Sequence, residues 1–229
     1  MRLRLRWWRE LFFLAALLFS LAALLPLRLA LDWLGFETRG LAAREAQGSV
    51  WLGGLADARF GTVPIGDVAT RLRALPLILG RARLDVRQEG DGLRAGLTAS
   101  RHGFGIDDAS GMVQASGLGR LPPPSLNLAD LSVRFADGLC VAAEGRVQAR
   151  FAGELAGMPL AAGFSGEARC EGPALLLPLA TQSGADRVEV RLFADGRYRI
   201  DAKLRPGGLP YLERFEGRFR PAVPPPASR

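Results

Sequence analysis

From about residue 80 onward, charged and apolar residues alternate one by one along much of the chain. Arg83, Asp85, Arg87 and Glu89 interleave with Ala82, Leu84, Val86 and Gln88. Arg187, Glu189 and Arg191 interleave with Val188, Val190 and Leu192. Arg197, Arg199, Asp201, Lys203 and Arg205 do the same with Tyr198, Ile200, Ala202 and Leu204. A period of two marks a strand with one face on a core and the other in water. Between Leu139 and Phe151 the pattern puts Leu139, Val141, Ala143, Val147, Ala149 and Phe151 on one face, opposite Glu144, Arg146, Gln148 and Arg150. No comparable stretch shows helical spacing. The predicted fold class is all-β: antiparallel hairpins forming a curved sheet or sheets.

Turn residues punctuate these runs. Gly90-Asp91-Gly92 and Ala194-Asp195-Gly196 each separate two alternating segments, and Asp-Gly suits a hairpin because glycine tolerates positive φ. The two hairpins also resemble each other, Arg83-Leu84-Asp85-Val86-Arg87 matching Arg187-Val188-Glu189-Val190-Arg191. An internal duplication would produce this, and so would alternation with a shared turn in an arginine-rich chain. Under duplication the two halves of a 32–220 domain join near 118–126, where Leu121-Pro122-Pro123-Pro124-Ser125 is a stiff connector. Residues 221–229 read as a disordered tail.

The first 31 residues break the pattern. Arg2, Arg4, Arg6 and Arg9 form a basic flank over 1–10, and an uncharged run follows from Leu11 to Leu27. Roughly 17 residues sit at the lower edge of a spanning helix, and snorkelling by Arg9 and Arg28 extends the reach over 11–31. Trp7, Trp8 and Trp33 bracket it as interfacial anchors do. The run exceeds the apolar core of most signal peptides, and Arg28 to Asp32 present no convincing cleavage site. An uncleaved signal-anchor is therefore preferred to a cleaved signal or a buried core helix. The basic flank then lies in the cytoplasm and the β domain in the periplasm, beyond the inner membrane.

Composition narrows the function. Hydrophobic residues make up 48% and charged residues 23% of 229, which excludes a disordered chain. Of the formal charge of +7, the first ten residues carry +3, and the remainder is scattered without aromatic platforms. Nucleic-acid binding is not supported. One histidine and two cysteines offer too few ligands for a transition-metal motif. His102 with Asp107 or Asp108 is the best catalytic combination, yet adjacent carboxylates on an extended strand face opposite ways. Gly163-Phe164-Ser165-Gly166 is not a nucleophile elbow, and phosphate-cradling loops are absent. The chain reads as a non-enzyme without cofactor or small-molecule substrate.

Cys140 and Cys170 are an even pair in a compartment that permits oxidation, so a disulfide is expected. Strand parity objects, because Cys140 falls in phase with Glu144 and Arg146, whereas Cys170 falls in phase with Phe164 and Ala168. Both cysteines lie near glycines, Gly138 and Gly172, where a bulge or turn can reset the facing.

The order of these features resembles a family. Gly48-Ser49-Val50-Trp51-Leu52-Gly53, Thr70-Arg71-Leu72-Arg73-Ala74-Leu75-Pro76-Leu77 with Gly80, Leu139-Cys140, Ser165 to Gly172 and Asp195-Gly196-Arg197-Tyr198 carry the likeness. They resemble the N protein of the bacterial type II secretion system. The resemblance implies an accessory inner-membrane component of the machine that moves folded proteins across the outer membrane. Its partners would be other secretion components, in the inner-membrane platform or the secretin, together with the lipid bilayer. No catalytic residue is carried over. The family is also similar to AsmA-like periplasmic proteins, which implies lipid handling as the alternative. Within the motif Gly48, Trp51 and Gly53 are the structural residues, Trp51 being expected as a core anchor on a strand where glycine permits close backbone approach.

Overall fold

The computed structural model describes residues 41–60, 63–78, 80–88, 92–114, 124–151, 154–155, 158–159, 163–205 and 210–218, with isolated positions between 12 and 29. Arg2, Arg4, Arg6 and Arg9 of the basic flank, Trp7, Trp8, Trp33, about half of 11–31, the 115–123 segment and the 221–229 tail lie outside the described residues. Among the described residues no helix is long and apolar enough to cross a membrane.

Alternation delivers strands as expected. Early in the chain come β1 (Leu41–Ala42), β2 (Glu45–Gly48), β3 (Gly53–Phe60), β4 (Val63–Leu72), β5 (Ala82–Gln88) and β6 (Arg94–Ala99). The three strands β7 (Gly103–Gln114), β8 (Pro124–Ala136) and β9 (Leu139–Phe151) are the longest. After the small pair β10 (Glu154–Leu155) and β11 (Met158–Pro159) come β12 (Phe164–Glu167), β13 (Arg169–Glu171) and β14 (Ala174–Ala180). The chain closes with β15 (Arg187–Phe193), β16 (Arg197–Leu204) and β17 (Tyr211–Arg218). A helix of five residues, Ala74–Ile78, interrupts the run of strands between β4 and β5, a feature that period-two reasoning did not foresee.

Fifteen of the strands form one curved antiparallel sheet in the order β1-β3-β4-β5-β6-β7-β8-β9-β12-β14-β15-β16-β17, with β2 on β3 and β13 on β14. Both Asp-Gly hairpins are present, as β5–β6 and β15–β16. Strands β7 and β8 pair from Gly103↔Ala136 to Gln114↔Ser125. The sheet therefore runs on across the proline connector, and the expected junction of two halves near 118–126 is a link between paired neighbours.

Three aspartates curve the long strands. Asp57, Asp108 and Asp130 have φ near +50° and sit at register shifts in β3, β7 and β8. A short polar side chain tolerates this left-handed conformation, and a bulge bends its strand and sharpens the twist. Each bulge amide finds a side-chain acceptor on a neighbouring strand: Asp57 N–H on Asp67 Oδ1 at 2.9 Å, Asp108 on Ser132 Oγ at 3.0 Å, Asp130 on Ser110 Oγ at 3.1 Å.

A fourth irregularity corrects the face assigned to β9. Phe135 pairs with Cys140 but Arg134 pairs with Ala142, which leaves Val141 as an extra residue. Leu139 and Val141, placed by alternation on the apolar face, are 52% and 54% exposed, while Cys140 turns inward. Beyond the bulge Val147, Ala149 and Phe151 face the core as expected.

The buried apolar residues form two clusters. The larger extends from Ala109 on β7 to Leu204 on β16 and contains the edge-to-face pair Phe151 and Phe164. The smaller gathers Leu55, Ala58, Val68, Leu84, Val86 and Ala99 from β3 to β6, together with Leu27. That last residue lies in the stretch read as a membrane span. Its side chain packs against the sheet, since a leucine gains as much from a protein core as from lipid.

Candidate functional site: the junction between the N-terminal segment and the sheet

The motif 48–53 is a hairpin loop between β2 and β3, with Gly48 opposite Gly53. The Ser49 amide donates to the Leu52 carbonyl at 3.1 Å, and the Leu52 amide donates to Ser49 Oγ at 3.3 Å. Each flanking glycine has a steric reason. Gly48 has φ of +82°, and a Cβ there would lie 2.7 Å from the Leu52 carbonyl oxygen. At Gly53 a Cβ would meet Leu27 Cδ2 at 2.7 Å and the carbonyl oxygens of Gln47 and Ser49 at 2.8 and 2.9 Å.

Val50, not Trp51, is the buried residue of this loop. Trp51 lies in the bend between the two strands and is half-buried, which corrects its assignment as a strand anchor. The loop folds so that the Val50 backbone bridges two other segments. Its amide donates to the Leu25 carbonyl at 3.0 Å, and its carbonyl accepts from the Leu72 amide at 3.2 Å. Ser49 forms an isolated antiparallel bridge with Pro26. The first two motifs that carried the family likeness, 48–53 and 70–80, thus meet at the place where the N-terminal segment enters the sheet.

Next to the junction the helix Ala74–Ile78 leaves Leu75 exposed, and Leu52 is exposed on the loop. A cleft of about 770 Å³ opens beside Leu75, lined also by Arg81, Arg83, His102, Phe104 and Phe135 among others. Phe104 and Phe135 stack at 5.3 Å between centroids. One wall is an ion-pair network centred on Arg83, which reaches Asp85 at 3.1 Å and both Asp107 and Asp108 at 3.3 Å. The adjacent carboxylates were expected on opposite faces. The left-handed backbone at Asp108 breaks the alternation, so both reach one guanidinium.

Burial pushes the Asp85 carboxyl up, but hydrogen bonds from Arg73 and Arg83 outweigh it and hold the group below the ordinary carboxylate value. The Arg83 guanidinium is shifted up, chiefly by its hydrogen bond to Asp85. His102 is 81% exposed and lies 3.7 Å from Asp137, while Asp107 and Asp108 are engaged by Arg83. The candidate histidine shares the cleft with Asp107, but its ion-pair contact is Asp137, not either candidate orienter. Among the described residues no group of His, Cys, Asp and Glu side chains is arranged to hold a metal. Thr70, on β4 beside the motif, is buried with its hydroxyl unpartnered.

Away from the junction, Cys140 and Cys170 are joined, their Cα atoms 5.5 Å apart. Cys140 opens β9 beyond the Asp137-Gly138 turn, and Cys170 sits on β13 before Gly172. The β9 bulge turns Cys140 inward and so removes the parity objection. Sequence reasoning missed Leu27, Leu52 and Leu75 as parts of one site. The only available signal was that they flank the glycine-bounded motif and its downstream partner.

The family described as Type II secretion system (T2SS), protein N matches residues 39–210, which take in both junction motifs and nearly the whole sheet. No curated protein and no solved structure matches the chain.

Proposed function

The chain belongs to the type II secretion system protein N family, and from that premise we propose that it serves the machine as a non-enzymatic scaffold or adaptor anchored in the inner membrane. An accessory role in type II secretion follows from membership itself. The single observation that carries the reading is the match across residues 39–210.

Two structural features support contact rather than transport as the mode of action. A lipid conduit of the AsmA-like kind needs a continuous apolar surface open to its cargo. Here much of the apolar face of β14 to β16 is packed away, with Leu175, Leu179, Val188, Ile200, Ala202 and Leu204 buried and Val190, Leu192 and Tyr198 half-buried beside them. In addition, β17 pairs only with β16 among the described residues, so its other edge can accept a partner strand. On this reading the N-terminal segment holds the protein in the bilayer with its first ten residues in the cytoplasm and its sheet in the periplasm.

Gene deletion in a host that exports folded enzymes by this route should make those enzymes accumulate in the periplasm. A photo-crosslinking side chain at Leu212 on β17 should capture another secretion component. Normal export together with crosslinks to phospholipid alone would overturn the scaffold reading and favour lipid handling.

A further inference from the structure

The apolar run stops short of the sheet in an informative way. The Leu24 amide still donates to the Ser20 carbonyl, one helical turn back, at 3.0 Å. Leu25, Pro26 and Leu27 are then fixed to the sheet by the Val50 hydrogen bond, the Ser49 bridge and core burial. The run left for the bilayer is Leu11 to Leu24, about 14 residues or about 21 Å of helix, against a hydrocarbon core of about 30 Å. The described residues Leu25 to Leu27, at the end of the apolar run, are thus held on the sheet itself. A short anchor held to a domain in this way draws the domain's end into the interface or thins the bilayer around it.

The surface at that end is suited to the interface. Leu52 is 69% exposed and Leu75 is 79% exposed, with Leu77 beside it on the short helix. The serial hydrogen bonds Leu25–Val50–Leu72 set the three segments side by side, so Leu72 lies about 10 Å from Leu25 and the helix begins two residues beyond it. Arg71 and Arg81 are exposed on the segments on either side of the helix, with Arg73 between them paired to Asp85, so the apolar tip carries two further cations that favour anionic headgroups.

We propose that Leu52 and the Ala74–Ile78 helix form a foot that inserts into the headgroup–acyl boundary of the bilayer holding the N-terminal segment. The sheet then stands at a fixed orientation on the membrane. This rests on reading the N-terminal run as an anchor, and the test separates the two ideas.

The full chain, with its native disulfide intact, is reconstituted in vesicles of phosphatidylethanolamine and phosphatidylglycerol. Single variants Leu17→Cys, Leu52→Cys, Leu75→Cys and Leu212→Cys carry an environment-sensitive fluorophore, and lipids bearing a shallow quencher are added. Quenching at positions 52 and 75 should exceed that at 212 several-fold and approach that at 17. Quenching at 17 with none above the 212 level at 52 and 75 overturns the foot and leaves the anchor standing. Absence of quenching at 17 as well overturns both.

Discussion

The Leu27 side chain fills the space that a Cβ on Gly53 would need: the two atoms would lie 2.7 Å apart. Replacing Leu27 by Ala should destabilise the β domain by about 2–4 kcal/mol, the usual range for a fully buried leucine. Gly53→Ala should cost a comparable amount through its clashes with Leu27 and the backbone. Because part of that clash is with Leu27 itself, the double variant should lose less than the sum of the two. Urea unfolding of the detergent-solubilised chain measures all three. Strict additivity would mean that Leu27 does not dock on Gly53.

The disulfide closes a loop whose ends are 30 positions apart, for which the chain-entropy relation gives roughly 3.7 kcal/mol. The double substitution Cys140→Ser, Cys170→Ser should lower stability by about that amount. Mass spectrometry after alkylation in denaturant without reductant should find neither cysteine labelled in the native protein.

Asp85 is held below its ordinary value by Arg73 and Arg83. A carboxyl with a depressed folded-state pKa adds stability that is fully present above the unfolded value, about 3.9, and is lost as pH falls through the folded value. The stability gap between the protein and Asp85→Asn should therefore be widest near neutral pH and close below about pH 4. A gap that widened on acidification would contradict the pairing.

Thr70 offers the opposite kind of test. Its buried hydroxyl has no hydrogen-bond partner among the described residues, and an isosteric valine removes a desolvated polar group without leaving a cavity. Thr70→Val should be neutral or stabilising by about 1 kcal/mol, read as an unchanged or raised melting temperature.

His102 is exposed and faces Asp137, while the carboxylates first considered as its orienters are paired with Arg83. His102→Ala should leave export of folded enzymes unchanged. A loss of export at normal protein level would reopen a catalytic role.

The strands were legible wherever one face meets water and the backbone stays regular. Ala82, Leu84 and Val86 against Arg83, Asp85 and Arg87 read correctly because nothing interrupts the two-residue period in β5. Reasoning failed where one inserted residue changes parity, at Val141 and at Asp108, since alternation carries no mark of a bulge. The cysteine pair was legible through compartment and count, with the glycines beside it indicating where facing could reset. The junction was only half legible. Gly48 and Gly53 announced a close approach, but Leu27 looked like lipid-facing sequence because hydrophobicity does not say which apolar phase a side chain enters.

The strand order has a bearing on how the protein comes to exist. From β3 to β9, every strand lies beside the one made just before it, and from β14 to β17 the same holds. A chain threaded outward from its N-terminal end would at each moment present one open edge, and the next segment to emerge would be the one that fits it. Assembly could advance like a zip, strand upon strand, starting from the seam at Leu27 and Val50, without waiting for the far end of the chain to arrive.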